Sequence, residues 1–139
     1  MARSPASNAP GLWRSLRGGL ILAALVALHL GGCGQAKFGS VSGRVTLDNQ
    51  PLAHTTVEFQ PAAGSPSYGV TDDRGNYTLQ WSPEQSGAQV GEHTVRITSF
   101  DEANRRQPER VPPRYNRQSD LRREVKLGHQ QFDFDLSSK

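Results

Sequence analysis

The stretch Val41-Ser42-Gly43-Arg44-Val45-Thr46-Leu47, running into Asp48-Asn49-Gln50-Pro51, decides the fold. Val41, Val45 and Leu47 fall on one side of an extended chain, and Ser42, Arg44 and Thr46 on the other. That alternation suits a half-buried strand and does not suit a helix. Asn49 tolerates positive φ and Pro51 fixes the exit, so the stretch reads as a strand, a turn and the entry to a second strand.

The same pattern recurs downstream. Val57 and Phe59 alternate with Thr56, Glu58 and Gln60; Tyr77, Leu79 and Trp81 alternate with Thr78 and Gln80; Val95 and Ile97 alternate with Thr94, Arg96 and Thr98. Turn signals lie between these runs. In Asp72-Asp73-Arg74-Gly75 the glycine can supply a left-handed residue and an Asp carboxylate can accept turn amides. Ser82 to Gly91 reads as a polar loop. Near the C-terminus the inward parity switches from Val125 and Leu127 to Phe132, Phe134 and Leu136. That switch of face places a turn or bulge at Gly128-His129-Gln130. The sum is an all-β sandwich of seven antiparallel strands, with no sustained helical stripe beyond residue 40.

Ahead of this region the sequence changes character. Arg3, Arg14 and Arg17 are the only charged residues before Cys33, and Leu20 to Leu30 is an apolar run. A basic head followed by such a run has the form of a secretory signal, and it is short of the roughly 20 apolar residues a spanning helix needs. The run closes in Leu30-Gly31-Gly32-Cys33, and Cys33 is the single cysteine of the chain. This tetrad resembles a bacterial lipobox. The resemblance implies cleavage before Cys33, acylation of its thiol and amine, and a membrane anchor reached through the general secretory route. The expected organisation is a lipoprotein signal peptide at 1–32, a lipidated Cys33 and tether at 33–39, and the sandwich at 40–139. The expected location is the cell envelope, on the periplasmic or outer-membrane side.

Removing the signal alters the charge argument. The chain holds 16 basic and 13 acidic residues, and three of the basic ones are Arg3, Arg14 and Arg17. The remainder is therefore balanced at 13 of each, which speaks against a nucleic-acid partner. No second cysteine is left for a disulfide, so stability must come from the core.

Several motifs within the sandwich resemble the carboxypeptidase regulatory-like domain. They are Val41-Ser42-Gly43-Arg44-Val45, Pro51-Leu52, Val57-Glu58-Phe59-Gln60-Pro61, Thr71-Asp72-Asp73-Arg74-Gly75-Asn76-Tyr77, Val111-Pro112-Pro113-Arg114-Tyr115-Asn116 and Phe132-Asp133-Phe134-Asp135-Leu136. The resemblance spans residues 40 to 136 and implies a transthyretin-like Greek-key sandwich of seven strands. It does not imply an activity, because these are turn and core positions. The 5-hydroxyisourate hydrolases of similar fold end in Tyr-Arg-Gly-Ser, whereas this chain ends Leu136-Ser137-Ser138-Lys139.

The search for chemistry yields little. The Thr71–Tyr77 motif lacks the spaced ligands and distal Glu of a calcium loop and reads as a hairpin turn. His54, His93 and His129 are dispersed, without zinc-ligand spacing. There is no Gly-x-Ser-x-Gly elbow. The expectation is a protein that is not an enzyme, has no cofactor or metal, and serves as a binding or structural module whose partner is an envelope polysaccharide or protein. Two features offer binding surfaces. Residues 105–123 carry Arg105, Arg106, Arg110, Arg114, Arg117, Arg122 and Arg123 against Glu109 and Asp120, with prolines that exclude a regular helix. Arginine forks there could contact phosphates or acidic polysaccharide, but the favoured reading is a solvated crossover loop pinned to the sandwich by Tyr115 and Leu121. Trp81, if exposed, can stack on a sugar; its parity with Leu79 places it at the core or its rim.

Overall fold

Alternation of side chains on a pleated backbone accounts for the two sheets seen here. In the computed structural model, residues 37–99 and 108–139 are described. The strands are β1 (Phe38–Leu47), β2 (Gln50–Pro51), β3 (Thr56–Pro61), β4 (Ser67–Val70), β5 (Asn76–Thr78), β6 (Gln80–Ser82), β7 (Gln85–Ser86), β8 (Ala88–Gln89), β9 (Gly91–Thr98), β10 (Arg122–Val125), β11 (His129–Gln131) and β12 (Phe134–Leu136). A 3₁₀ turn at Pro113–Tyr115 lies between β9 and β10.

One sheet is built on β1, with β2, β5 and β8 antiparallel to it and β11 and β12 parallel. The other runs β10-β9-β3-β4-β6-β7 and is antiparallel throughout. Their inner faces share one core: Val41 and Val45 from β1, Val57 and Phe59 from β3, Val95 and Ile97 from β9, and Val125 from β10 are fully buried. Phe59 sits among rings, 6.0 Å from Phe132, 6.3 Å from Phe134 and 5.7 Å from His93 between centroids. The architecture is thus all-β and sandwich-like.

The turns follow their residues. Asp48 and Asn49 take φ of 50° and 64°, and Thr46–Leu47 pair with Gln50–Pro51 across them. Two successive positive φ values match the twist of a two-residue hairpin. In the next turn Asp72 accepts the amides of Arg74 (2.9 Å) and Asn76 (2.8 Å), and Gly75 takes φ of 81°. The Asn76 amide, ahead of the other contacts, holds the Asp72 carboxyl below its ordinary range.

The strand inventory differs from seven because long alternating runs are divided between sheets. Residues 76–82 form one apolar run in sequence. In space β5 pairs with β1 and β6 with β4, and buried Leu79 crosses between them with its amide on the Val41 carbonyl at 2.9 Å. The polar stretch 82–91 is also not a simple loop. Ser82 Oγ accepts the Gln85 amide at 3.1 Å, which closes the β6–β7 hairpin, and fully buried Ala88 leads β8 onto the start of β1. Both pieces are too short for alternation to register.

Three further positions depart from expectation. β1 begins at Phe38, inside the stretch expected as tether, because Phe38 and Gly39 pair with Gln89 and Ala88. Leu127 is 61% exposed, since the chain has already left β10 for the turn at Gly128. Trp81 is 40% exposed, because the register shift between Gln80 and Ser82 interrupts the alternation that Leu79 obeys. Leu30, Gly31, Gly32 and Cys33, with the signal segment, and Arg105 and Arg106 lie outside the described residues.

Candidate functional site

A concavity lies over the outer face of β3 and β9. Side chains pointing away from the core there include Glu58 and Arg96, which sit directly opposite each other across the two strands. Their ion pair closes at 3.2 Å. Beside them residues 108–117 return across the sheet end. The prolines at 112 and 113 keep this segment extended and then tightly turned, and Asn116 fixes the turn by donating Nδ2 to the Val111 carbonyl at 3.0 Å. Val111 is buried and anchors the segment to the core.

Between segment and sheet lies an open groove of about 1080 Å³. Its lining includes Glu58, Arg96, Thr98, Glu109, Arg110, Val111, Pro112, Pro113, Asn116, Arg117 and Ser138. The volume lies just above the range of small-ligand clefts, roughly 300–1,000 Å³. Among the described residues, its lining sets Val111, Pro112 and Pro113 beside three guanidinium groups, those of Arg96, Arg110 and Arg117.

The two carboxylates of the groove are committed. Glu58 faces Arg96. Glu109 accepts from the Thr98 hydroxyl, from the Ser99 amide (2.9 Å) and hydroxyl (2.6 Å), and from the Val111 amide (2.8 Å). Burial pushes the Glu109 pKa up, but these donors together outweigh it and hold the carboxyl below its ordinary range. Glu109 is therefore a fixed anion and is poorly suited to deliver a proton near neutral pH. Among the described residues no group of three His, Cys, Asp or Glu side chains is placed to hold a metal ion.

The arginines of the crossover segment separate into different tasks. Arg110 lines the groove and donates to the Ala53 carbonyl at 3.0 Å. Arg117 lines it from the far end of the segment. Arg114 points elsewhere: it donates to the carbonyls of Ser137 and Lys139 and lies 4.8 Å over the Tyr115 ring. Arg123 covers the sandwich edge, 4.9 Å over the Phe134 ring. Arg96 and Glu58 escaped notice in sequence because each is one outward residue on a strand. Only the pairing of β3 with β9 makes them neighbours, 38 residues apart.

Trp81 belongs to a different place. Its ring is 5.1 Å from that of Phe38, the first residue of β1. Ser138, by contrast, lines the groove and bonds Asp48 just past the last residue of β1. Ten strand residues span about 30 Å, so Trp81 and the groove do not form one surface.

No family model matches the chain, and no curated protein matches it. Among solved structures it is similar to a DUF3823 family protein from Parabacteroides merdae, at 18% identity and a TM-score of 0.42, over 72% of this chain and 46% of that one. The chain thus spans less than half the length of that protein.

Proposed function

We propose that the chain is a lipid-anchored envelope protein whose sandwich, of the carboxypeptidase regulatory-like, transthyretin-like kind, is a non-catalytic binding or structural module. The observation that carries this is Leu30-Gly31-Gly32-Cys33 at the close of a signal-like apolar run. The start of β1 at Phe38 agrees with it, leaving only a short connection between Cys33 and the sheet. More than one acyl chain on Cys33 would hold the protein far more firmly than a single chain can. Cell fractionation of the Cys33→Ser variant tests the reading. The wild type should sediment with membranes and the variant should appear in soluble fractions; a variant that stays with membranes would overturn the anchor.

A second reading is favoured by the groove. Arg96, Arg110 and Arg117, gathered in one groove, suit a carboxylate- or phosphate-bearing polyanion such as an acidic envelope glycan, since guanidinium forks match those groups. Titration of the protein with polygalacturonate at low and high salt reads this directly. Binding that weakens with salt and vanishes in Arg110→Glu/Arg117→Glu supports it; no binding by the wild type, or unchanged binding by the variant, sinks it.

A further inference from the structure

Among the described residues, three of the five exposed large apolar side chains, Trp81, Val90 and Leu127, gather at one end of the sandwich, where β1 begins. The Trp81 ring packs on Phe38 at 5.1 Å, the Val90 amide donates to the Lys37 carbonyl at 2.8 Å, and the Ser40 amide donates to the carbonyl of Gly128, next to Leu127, at 2.8 Å. The other two, Tyr68 and Val70, lie on the outer face of β4. The cluster therefore surrounds the point at which the chain enters the domain. Lys37 and Lys126 stand beside it, with Glu84, Glu92 and Glu124 nearby; Glu84 accepts from the Ser82 hydroxyl at 3.1 Å, Glu124 pairs with Lys126 at 3.6 Å, and Glu92 lies opposite Glu124.

We infer that this end of the domain rests on the lipid surface, with Trp81, Val90 and Leu127 at the headgroup boundary and Lys37 toward anionic headgroups. The inference rests on the lipid-anchor reading, and the length of the connection carries it. Three residues separate Lys37 from Cys33, and the four chain steps reach at most about 14 Å even when fully extended. An acylated Cys33 sits at the acyl boundary and the headgroup layer is about 5–7 Å deep, so the start of β1 stays within about 10 Å of the headgroups. The surface held nearest the membrane is the one bearing an exposed tryptophan, whose amphipathic ring favours that boundary, and Lys37, which favours anionic lipid. The groove lined by Thr98 and Ser138, at the other end of β1, then faces away from the membrane.

Trp81 supplies the readout, because Trp13 is the only other tryptophan. The full chain carrying Trp13→Phe is recovered from a bacterial envelope, and the mass of its Cys33 peptide shows whether acyl chains are present. It is then reconstituted in phosphatidylethanolamine–phosphatidylglycerol vesicles with and without brominated acyl chains. If Cys33 proves unmodified, the anchor reading falls, and the thiol is instead coupled to a maleimide-headgroup lipid, which reproduces the tether geometry. In either case Trp81 emission should be quenched by the brominated lipid. Quenching should weaken in Val90→Asp/Leu127→Asp and persist in Val70→Asp, all exposed sites that tolerate a charge. Emission indifferent to bromine, with the protein attached through Cys33, would overturn the inference and leave the anchor standing.

Discussion

The phenol of Tyr77 donates to the main-chain carbonyl of Phe132 at 2.7 Å and closes β5 against the segment between β11 and β12. Both flank β1, and the bond passes beside Gly43, where the two neighbours approach the strand from opposite sides. Burial is the main cause that pushes the Tyr77 pKa up, with Asp133 adding to it. An acid whose folded pKa lies above its unfolded one stabilises the fold fully below the unfolded value, about 10 for Tyr, and loses that contribution as pH rises beyond it. Stability should fall steadily above pH ~10. Tyr77→Phe should cost about 1 kcal/mol at neutral pH through the lost bond and flatten the alkaline decline. Urea denaturation at a series of pH values measures both; an unchanged alkaline slope would assign the decline to other groups.

Gly43 is required for a different reason. A Cβ there would lie 1.9 Å from the Phe132 carbonyl oxygen and 2.9 Å from the Tyr77 ring, with backbone on one side unable to yield. Gly43→Ala should destabilise by at least the 1–3 kcal/mol typical of overpacking, roughly, and lower the thermal midpoint clearly. Thermal unfolding followed by circular dichroism decides this, and a midpoint equal to the wild type would show that the two neighbours can part.

Phe59 tests the core. It is fully buried and touches rings from both sheets. Phe59→Ala should cost about 3–5 kcal/mol, a large part of the roughly 5–15 kcal/mol that holds a domain together. The denaturant midpoint should drop accordingly, and a loss below about 1 kcal/mol would mean that the cavity collapses freely.

Glu109 predicts behaviour in acid. Its folded pKa is depressed, so its contribution is present above the unfolded value, about 4.3 for Glu, and is lost as pH falls through the folded one. Glu109→Gln should be less stable at neutral pH by about 1.5 kcal/mol, the low end for bonds to a charged group, because the carboxylate is partly solvated. The two proteins should converge in stability at low pH. Parallel pH curves would show that the charge of Glu109 contributes nothing beyond its hydrogen-bonding shape.

What could be read in the residues themselves was local. Alternation at Val57–Phe59 and Val95–Ile97, the positive φ at Asn49 and the Asp72 turn are properties of a few neighbouring side chains, and all recur in the fold. The groove was half legible. Arg110 and Arg117 stood out as part of a basic run, whereas Arg114, equally prominent in sequence, is spent on holding the C-terminal tail.

The sequence by itself determined that the chain is all-β, where most of its turns fall, and that a lipobox-like tetrad precedes the sheets. Those depend on which side of an extended backbone each residue lies and on which residues tolerate unusual φ. Only the tertiary structure decided that residues 76–82 cross from one sheet to the other, that Trp81 is exposed beside Phe38, and that Glu58 and Arg96 meet in the groove. Each depends on the register between strands distant in sequence. Register is set by how the whole core closes, and no single alternating run contains it.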